Sequence, residues 1–425
     1  MSAIALALLL AIPAESSLPA VLTLPEALRL FEERSFDLVL AEAQLDMARG
    51  DERAARAIAN PAVNGSVGHS FGYDAACPGC SADSFGVGLS DQAALSDWLS
   101  GKRGLRVDAA RAALEAAKHS RAEAQRTLRL TLEQALVDAA LQRAQLDLSL
   151  DLLGFARRTS ELDSARLRAG AISEAELARA QVAALEAEQV ADLASQADRA
   201  SRSQVAFLLA VRGPLPDFRV DPALLEQAAT IPLPAVDAPS LLEIALRERP
   251  DFRAAAEQQN RARAAAALAR RQRIPEVALS AQYAQEGTGN AAVTPPTATF
   301  GISLPLPLFY QQQGEIFRAD ADLRAQTAQR DKLAAQLAND VTVAFGAFAA
   351  NRKLVGRMQG GLLERAQRAR DLTRIQYEKG AARLFELLDA QRAFAQVRAE
   401  YLQDLHDLWV SFFRLEAAVG RQLRS

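Results

Sequence analysis

Cys77-Pro78-Gly79-Cys80 holds the only two cysteines of this chain, and their spacing is the first place to look for chemistry. A Cys-x-x-Cys pair serves as a dithiol redox site, as half of a metal site, or as a disulfide within a loop. His69 is the nearest residue that would add a third metal ligand. The three histidines, His69, His119 and His406, are widely spaced, and no motif joins one of them to a nucleophile. No glycine-rich phosphate loop and no metal-ligand cluster is present. The residues therefore point to no enzyme and to no metal or other cofactor. The chemistry to seek is that of passage and gating.

Composition narrows the class. Half of the 425 residues are hydrophobic, but alanine supplies much of that share and aromatics make up only 6%. Alanine, arginine, glutamate and glutamine without many aromatics suit long helices with thin packing seams. The 49 basic and 52 acidic residues are interleaved, leaving a net charge of −3. That is the pattern of solvated helix faces, and it lacks the basic surplus of a nucleic-acid binder. Beyond the N-terminus no run of about 18 apolar residues appears, so no transmembrane helix is expected. Residues 1–20 contain the apolar run Ser2–Ile12, ended by Pro13-Ala14. They read as a signal-peptide core, with a buried N-terminal helix as the other reading.

The elements that must position any site are set out twice. Asn60-Pro61 has a counterpart in Ile274-Pro275, Gly104 in Gly314, and Gly170 in Gly380, and both glycine pairs are 66 residues apart. All 17 prolines avoid two stretches, from Pro78 to Pro214 and beyond Pro307. Proline inside a helix costs about 3 kcal/mol, so these gaps are where long helices belong. The spacing of Leu114, Leu128, Leu132, Leu136 and Ala139 predicts one helix from about Arg106 to Arg168, roughly 95 Å long. Ala169-Gly170-Ala171 breaks it. Ser173, followed by Glu174 and Glu176, caps a second helix that runs to about Leu209, ahead of Arg212-Gly213-Pro214. The second half predicts a helix from about Glu315 to Glu378, a break at Lys379-Gly380-Ala381, and a further helix to about Val419. Gly346, Gly356 and Gly360-Gly361 weaken that first long helix and allow either a bend or the close approach of a neighbour.

Each half also predicts a short β-hairpin: Ala62–Phe71 with Ser84–Leu89, and Val277–Tyr283 with Thr297–Leu304. Four short strands make a poor globular sheet. Contributed by several chains they close a barrel. Their loose alternation, glycines and strand-end aromatics (Phe71, Tyr73, Phe85, Tyr283, Phe300) fit one in an outer membrane. The expected fold is mainly α with a small β part and an internal two-fold repeat. Residues 21–212 and 239–425 are the repeats, and 213–238 link them. A soluble coiled-coil scaffold is the alternative from another class.

Three features together carry a family resemblance. They are the duplicated plan, the run Phe300–Phe309 followed by Gly314 and an alanine-rich helix, and Tyr377-Glu378-Lys379-Gly380 leading to Glu386–Gln391. From Leu22 onward the chain resembles the TolC-like outer-membrane efflux proteins. The resemblance implies a homotrimer: twelve strands in the outer membrane and long antiparallel helical hairpins forming an α-barrel tunnel in the periplasm. It implies a periplasmic adaptor, an inner-membrane pump and outer-membrane lipid as partners. The implied cargo is small molecules or metal ions, with type I protein secretion as the alternative. The Pro305–Phe309 run followed by Gln313-Gly314 leans toward members that serve heavy-metal pumps.

Carried over, the helix breaks mark the tips where adaptors dock: Gly170, Ile172, Ser173 and Gly380. Arg383 departs from the family's usual small hydroxyl residue. Glu386 and Asp389 match an acidic constriction; three residues apart, they share one helix face. Threefold symmetry would gather six carboxylates, a ring that attracts cations and titrates readily. Arg179 replaces the second acid in the first half and is a candidate clamp. In an exported chain Cys77 and Cys80 are expected to form a disulfide. Trp98, Lys102, Arg103, Phe309 and Tyr310 fall at the strand-to-helix corners, as interfacial anchors or as packing residues.

Overall fold

In a computed structural model the structure describes residues 18–69, 71, 83–231, 237–286 and 296–423. The cysteine pair and nearly all of the leader-like segment lie outside these residues. The chain divides into two compact units, each assembled from both halves of the sequence. The first comprises residues up to Ala41, Ala122–Arg249 and the chain from Ala335 onward. The second comprises Glu42–Arg121 and Pro250–Ala334.

The long helices form as the proline gaps predict. Helix α4 spans Lys102–Arg168, 67 residues, and α5 spans Glu174–Leu208. In the second half α9 (Gln313–Arg357), a single π-helical turn (Met358–Leu362) and α10 (Leu363–Glu378) occupy the matching 66 residues, and α11 runs from Leu384 to Val419. The bend allowed at Gly360-Gly361 is real: Gly361 takes φ 121°, a conformation open only to glycine at low cost. α4 has no such interruption. By length and composition the stretch Gln313–Glu378 is long and apolar enough to cross a membrane, and most of its most apolar part is exposed in the chain.

The first unit is knit together around α11. Its inward residues Leu402, Leu405, Leu408, Phe412, Phe413 and Leu415 are buried. Trp409 stacks on Phe413 at 4.9 Å, and its indole N–H donates to the Leu224 carbonyl at 2.7 Å. Leu224 belongs to α6 (Ala223–Gln227). The segment between the two halves is structured. It holds α6 and strand β4 (Arg219–Val220), which pairs in parallel with β1 (Val21–Leu22). α11 ends at Gly420, whose φ of 79° turns the chain across Arg249. Arg249 follows α7 (Ala238–Glu248) and is held by Asp340 at 3.0 Å.

In the second unit four strands form one antiparallel sheet in the order β2-β3-β5-β6: Ala62–His69, Asp83–Ser90, Ala278–Glu286 and Thr297–Ser303. Both predicted hairpins are present, and β3 joins them by pairing with β5 from Ser84↔Glu286 to Ser90↔Ser280. The register puts Val63 and Val67 on the same face as Phe85, Val87 and Leu89, then Leu279, Ala281 and Tyr283, then Phe300 and Ile302. The other face carries Asn64, Ser66, Ser84, Gly86, Gly88, Ser280, Gln282, Thr299, Gly301 and Ser303. Within the chain both faces are largely exposed, the polar residues Asn64, Ser66, Gln282 and Thr299 among them, and on the apolar face Val67 is 87% exposed, Phe300 84% and Ile302 75%.

Gly420→Ala tests the corner that closes the first unit. A Cβ there would stand 2.9 Å from Cγ and 3.2 Å from Cα of Arg249, on a backbone already left-handed. The expected loss is about 1–3 kcal/mol, read as a lowered unfolding temperature of the detergent-solubilised protein.

Candidate functional site

The two tips are built by the same backbone chemistry. At the end of α4 the Ala171 N–H donates to the Arg166 carbonyl and the Gly170 N–H to that of Leu167, both at 2.9 Å. At the end of α10 the Ala381 N–H donates to Gln376 at 2.8 Å and the Gly380 N–H to Tyr377 at 3.0 Å. Gly170 and Gly380 hold φ 72° and 75°. Each break is thus a Schellman turn, which satisfies the carbonyls a helix end leaves bare and needs glycine at its left-handed position. Both glycines are exposed and Ile172 is half-buried.

The helices that follow start differently. Ser173 and Glu176 form a complete capping box: the Glu176 N–H donates to Ser173 Oγ at 3.3 Å, and the Ser173 N–H to Glu176 Oε2 at 3.0 Å. In the second tip the Arg383 N–H donates to Glu386 Oε2 at 2.9 Å. Arginine has no acceptor to return the bond, so this box is half made. The candidate gate residue Glu386 is therefore also the cap of its own helix, as Glu176 is of α5.

Arg179 and Asp389, one turn further along, line one open cleft of about 540 Å³ between α5 and α11, with Val182, Phe385, Leu388 and Arg392. Within the chain they share this cleft without an ion pair between them. Beneath it lies a small core of Ala180, Tyr377, Leu384 and Leu387, packed by Phe155 and Leu388.

The strongest tie at the tip carries no mark in the sequence. Asp163 of α4 has no solvent exposure and accepts a hydrogen bond from the Tyr377 hydroxyl of α10. Arg166 lies 4.5 Å over the Tyr377 ring and donates to the carbonyls of Tyr377 at 2.8 Å and Glu378 at 3.2 Å. It thereby caps the C-terminus of α10 with a cation, where the helix dipole favours one. Burial raises the Asp163 carboxyl above the usual range, only partly offset by the Tyr377 hydroxyl and the Arg166 charge. Burial, with the hydrogen bond to Asp163 behind it, raises the Tyr377 phenol as well. One aspartate among several in an arginine-rich helix does not announce such a partner; only the side-by-side packing of α4 and α10 supplies one.

His406, isolated in the sequence, has partners too. Its Nε2 lies 2.5 Å from Asp138 of α4 and its Nδ1 2.8 Å from Asp407. Burial opposes its charge, but the two carboxylates outweigh it and raise the imidazole above its ordinary value. It ties α11 to α4, and among the described residues no nucleophile lies beside it. His69 faces Asp83 at 2.8 Å, from β2 to β3.

The buried network makes a pH prediction. An acid whose folded-state value is raised loses stability as pH climbs from its unfolded value, about 3.9, through the folded one, and no further above that. Asp163→Asn should flatten that decline in unfolding temperature between pH 4 and pH 7. Tyr377→Phe should cost about 1–3 kcal/mol at neutral pH by leaving the carboxylate unpaired. An unfolding temperature unmoved by Tyr377→Phe would remove the network from the account of tip stability.

Comparison with known proteins agrees with this architecture. The family described as outer membrane efflux protein matches residues 27–210 and 241–421. The cobalt-zinc-cadmium resistance protein CzcC of Cupriavidus metallidurans is 26% identical over 415 residues, covering 96% of this chain and 92% of that protein. The pyoverdine export outer membrane protein OpmQ of Pseudomonas aeruginosa is 28% identical over 408 residues, covering 91% and 81%. Among solved structures, CusC superposes with a TM-score of 0.78 at 18% identity, over 94% of this chain and 92% of that one, and so shares the fold. With the family matched over both of its long helical hairpins and its four strands, this chain belongs to the outer membrane efflux proteins.

Proposed function

We propose that three copies of this chain join their sheets edge to edge as a twelve-stranded barrel in the outer membrane. The long helices form a periplasmic tunnel that passively exports solute handed over by an inner-membrane pump and a periplasmic adaptor. The observation that carries the reading is the sheet. It is apolar on one face, polar and glycine-rich on the other, exposed on the apolar side, and open at both edges, β2 and β6. In water such a face calls for cover and such edges invite aggregation. In a membrane barrel the lipid covers the face and neighbouring strands complete the edges. A unit of four strands closes at three copies, because twelve strands enclose a channel whereas four or eight leave little or none.

On this reading residues 1–20 are the leader, and 21–212 and 239–425 are duplicated halves joined by 213–238. The matched lengths of α4 and of α9 to α10, and the twin Schellman turns, support the duplication. Gly170, Ile172, Ser173 and Gly380 form the adaptor-docking tips. Asp389 and Glu386 form the acidic constriction, and Arg179 clamps it through a carboxylate of a neighbouring copy. The name of CzcC favours metal ions as cargo and that of OpmQ a siderophore; both are small solutes, and the energy for either comes from the pump. The conduit catalyses no reaction of its own.

Native mass spectrometry of the detergent-solubilised outer-membrane fraction tests the assembly. A trimer is expected, and a soluble monomer or dimer sinks the barrel and the gate together. The two faces of β6 sharpen the test. Phe300→Arg places a charge on the lipid side, at about 2–4 kcal/mol near the midplane, and should strip the protein from the outer-membrane fraction. Thr299→Arg, on the opposite face, should leave it there.

The gate is read in planar bilayers. Asp389→Asn should weaken block by divalent cations, and Arg179→Ala should raise the closed-state conductance. Unchanged currents in both variants would place the constriction elsewhere.

A further inference from the structure

We propose that helix α3 (Ala94–Leu99) is a foot that rests in the headgroup layer of the outer membrane's periplasmic phospholipid leaflet, a surface that rests in turn on the membrane reading of the sheet. The helix begins four residues after strand β3 ends. Its corner is firmly built. Gln92 and Ala93 both take left-handed φ, 49° and 62°, which costs energy for residues other than glycine. The Asp91 carboxylate holds the turn by accepting from the N–H of Ala93 at 3.1 Å and of Leu279, in β5, at 2.8 Å.

What this corner presents is inverted for a protein in water. The polar side chains of α3 point to the protein. Ser96 Oγ accepts from the Val277 N–H at 3.0 Å, and Asp97 takes the Arg106 guanidinium at 2.7 Å. The apolar side chains point away. Leu95, Trp98 and Leu99, at i, i+3 and i+4, share one helix face, and Trp98 is 63% and Leu99 69% exposed. Among the described residues the Trp98 indole N–H has no acceptor. A ring that is apolar over most of its area and holds one unmet donor fits the ester and phosphate layer of a bilayer, where both needs are satisfied. The position agrees: α3 follows directly from a strand whose apolar face the membrane covers, at the end from which α4 departs.

Lipid-quenched tryptophan fluorescence decides the matter. The chain has two tryptophans, and Trp409 is buried, so the difference between the parent protein and Trp98→Phe isolates the Trp98 emission. The full-length protein is reconstituted in phosphatidylcholine brominated at acyl carbons 6 and 7 or at 11 and 12. The expected result is at least twofold quenching of the difference emission by the shallow bromines and clearly less by the deep ones. A separate variant, Phe300→Trp on β6, reports on the barrel through its own added emission. Unquenched Trp98 with quenched Phe300→Trp overturns the foot alone and assigns the face to another copy of the chain or to water. If neither is quenched, the membrane reading of the sheet fails and the foot with it.

Discussion

A sheet that turns its apolar side chains outward is the constraint on which the rest of this protein depends. Val63, Val67, Val87, Phe300 and Ile302 sit on one face by strict register, and no described part of the chain lies over them. The hydrophobic effect has no direction of its own. It asks only that apolar area leave water, and here the cover comes from outside the chain. A family of outer-membrane proteins supplies that cover with lipid. The same demand accounts for the glycines and small hydroxyl residues of the other face.

The helices answer a different demand. A helix of some 66 residues has too long a side to be enclosed in a small globular core. Its packing must be repeated along its length by thin alanine seams, and its ends must be finished locally. The twin Schellman turns do this with backbone bonds alone. They leave Asp163, Tyr377 and Arg166 to join α4 to α10 through a buried polar network. Low dielectric strengthens such a network when its members are satisfied and penalises it when they are not. In this network Asp163 accepts from Tyr377 and faces the Arg166 guanidinium at 3.8 Å.

The two halves also differ where their sequences diverge. Ser173 completes a capping box that Arg383 leaves half made. Gly361 bends the second long helix at a π-helical turn, whereas α4 runs straight through. That asymmetry is written in two or three residues; of the glycines Gly346, Gly356, Gly360 and Gly361, only Gly361 takes a positive φ.

Much of the architecture was legible because it rests on local rules. Proline exclusion marked the long helices to within a few residues, glycine marked the turns, and period-two alternation marked all four strands. The family resemblance rested on the same residues. The partners across space were not legible. β3 pairs with β5 rather than standing as the edge of a separate hairpin, the inter-repeat segment packs α6 onto Trp409, and His406 lies between Asp138 and Asp407. Apart from the contact of His406 with its neighbour Asp407, these join residues well over a hundred positions apart, and no local spacing encodes them. The sequence alone determined the elements and their order, since helix and turn preferences act over a few residues. Tertiary structure alone decided which strands pair and which charges are buried, because pairing and burial are properties of neighbours.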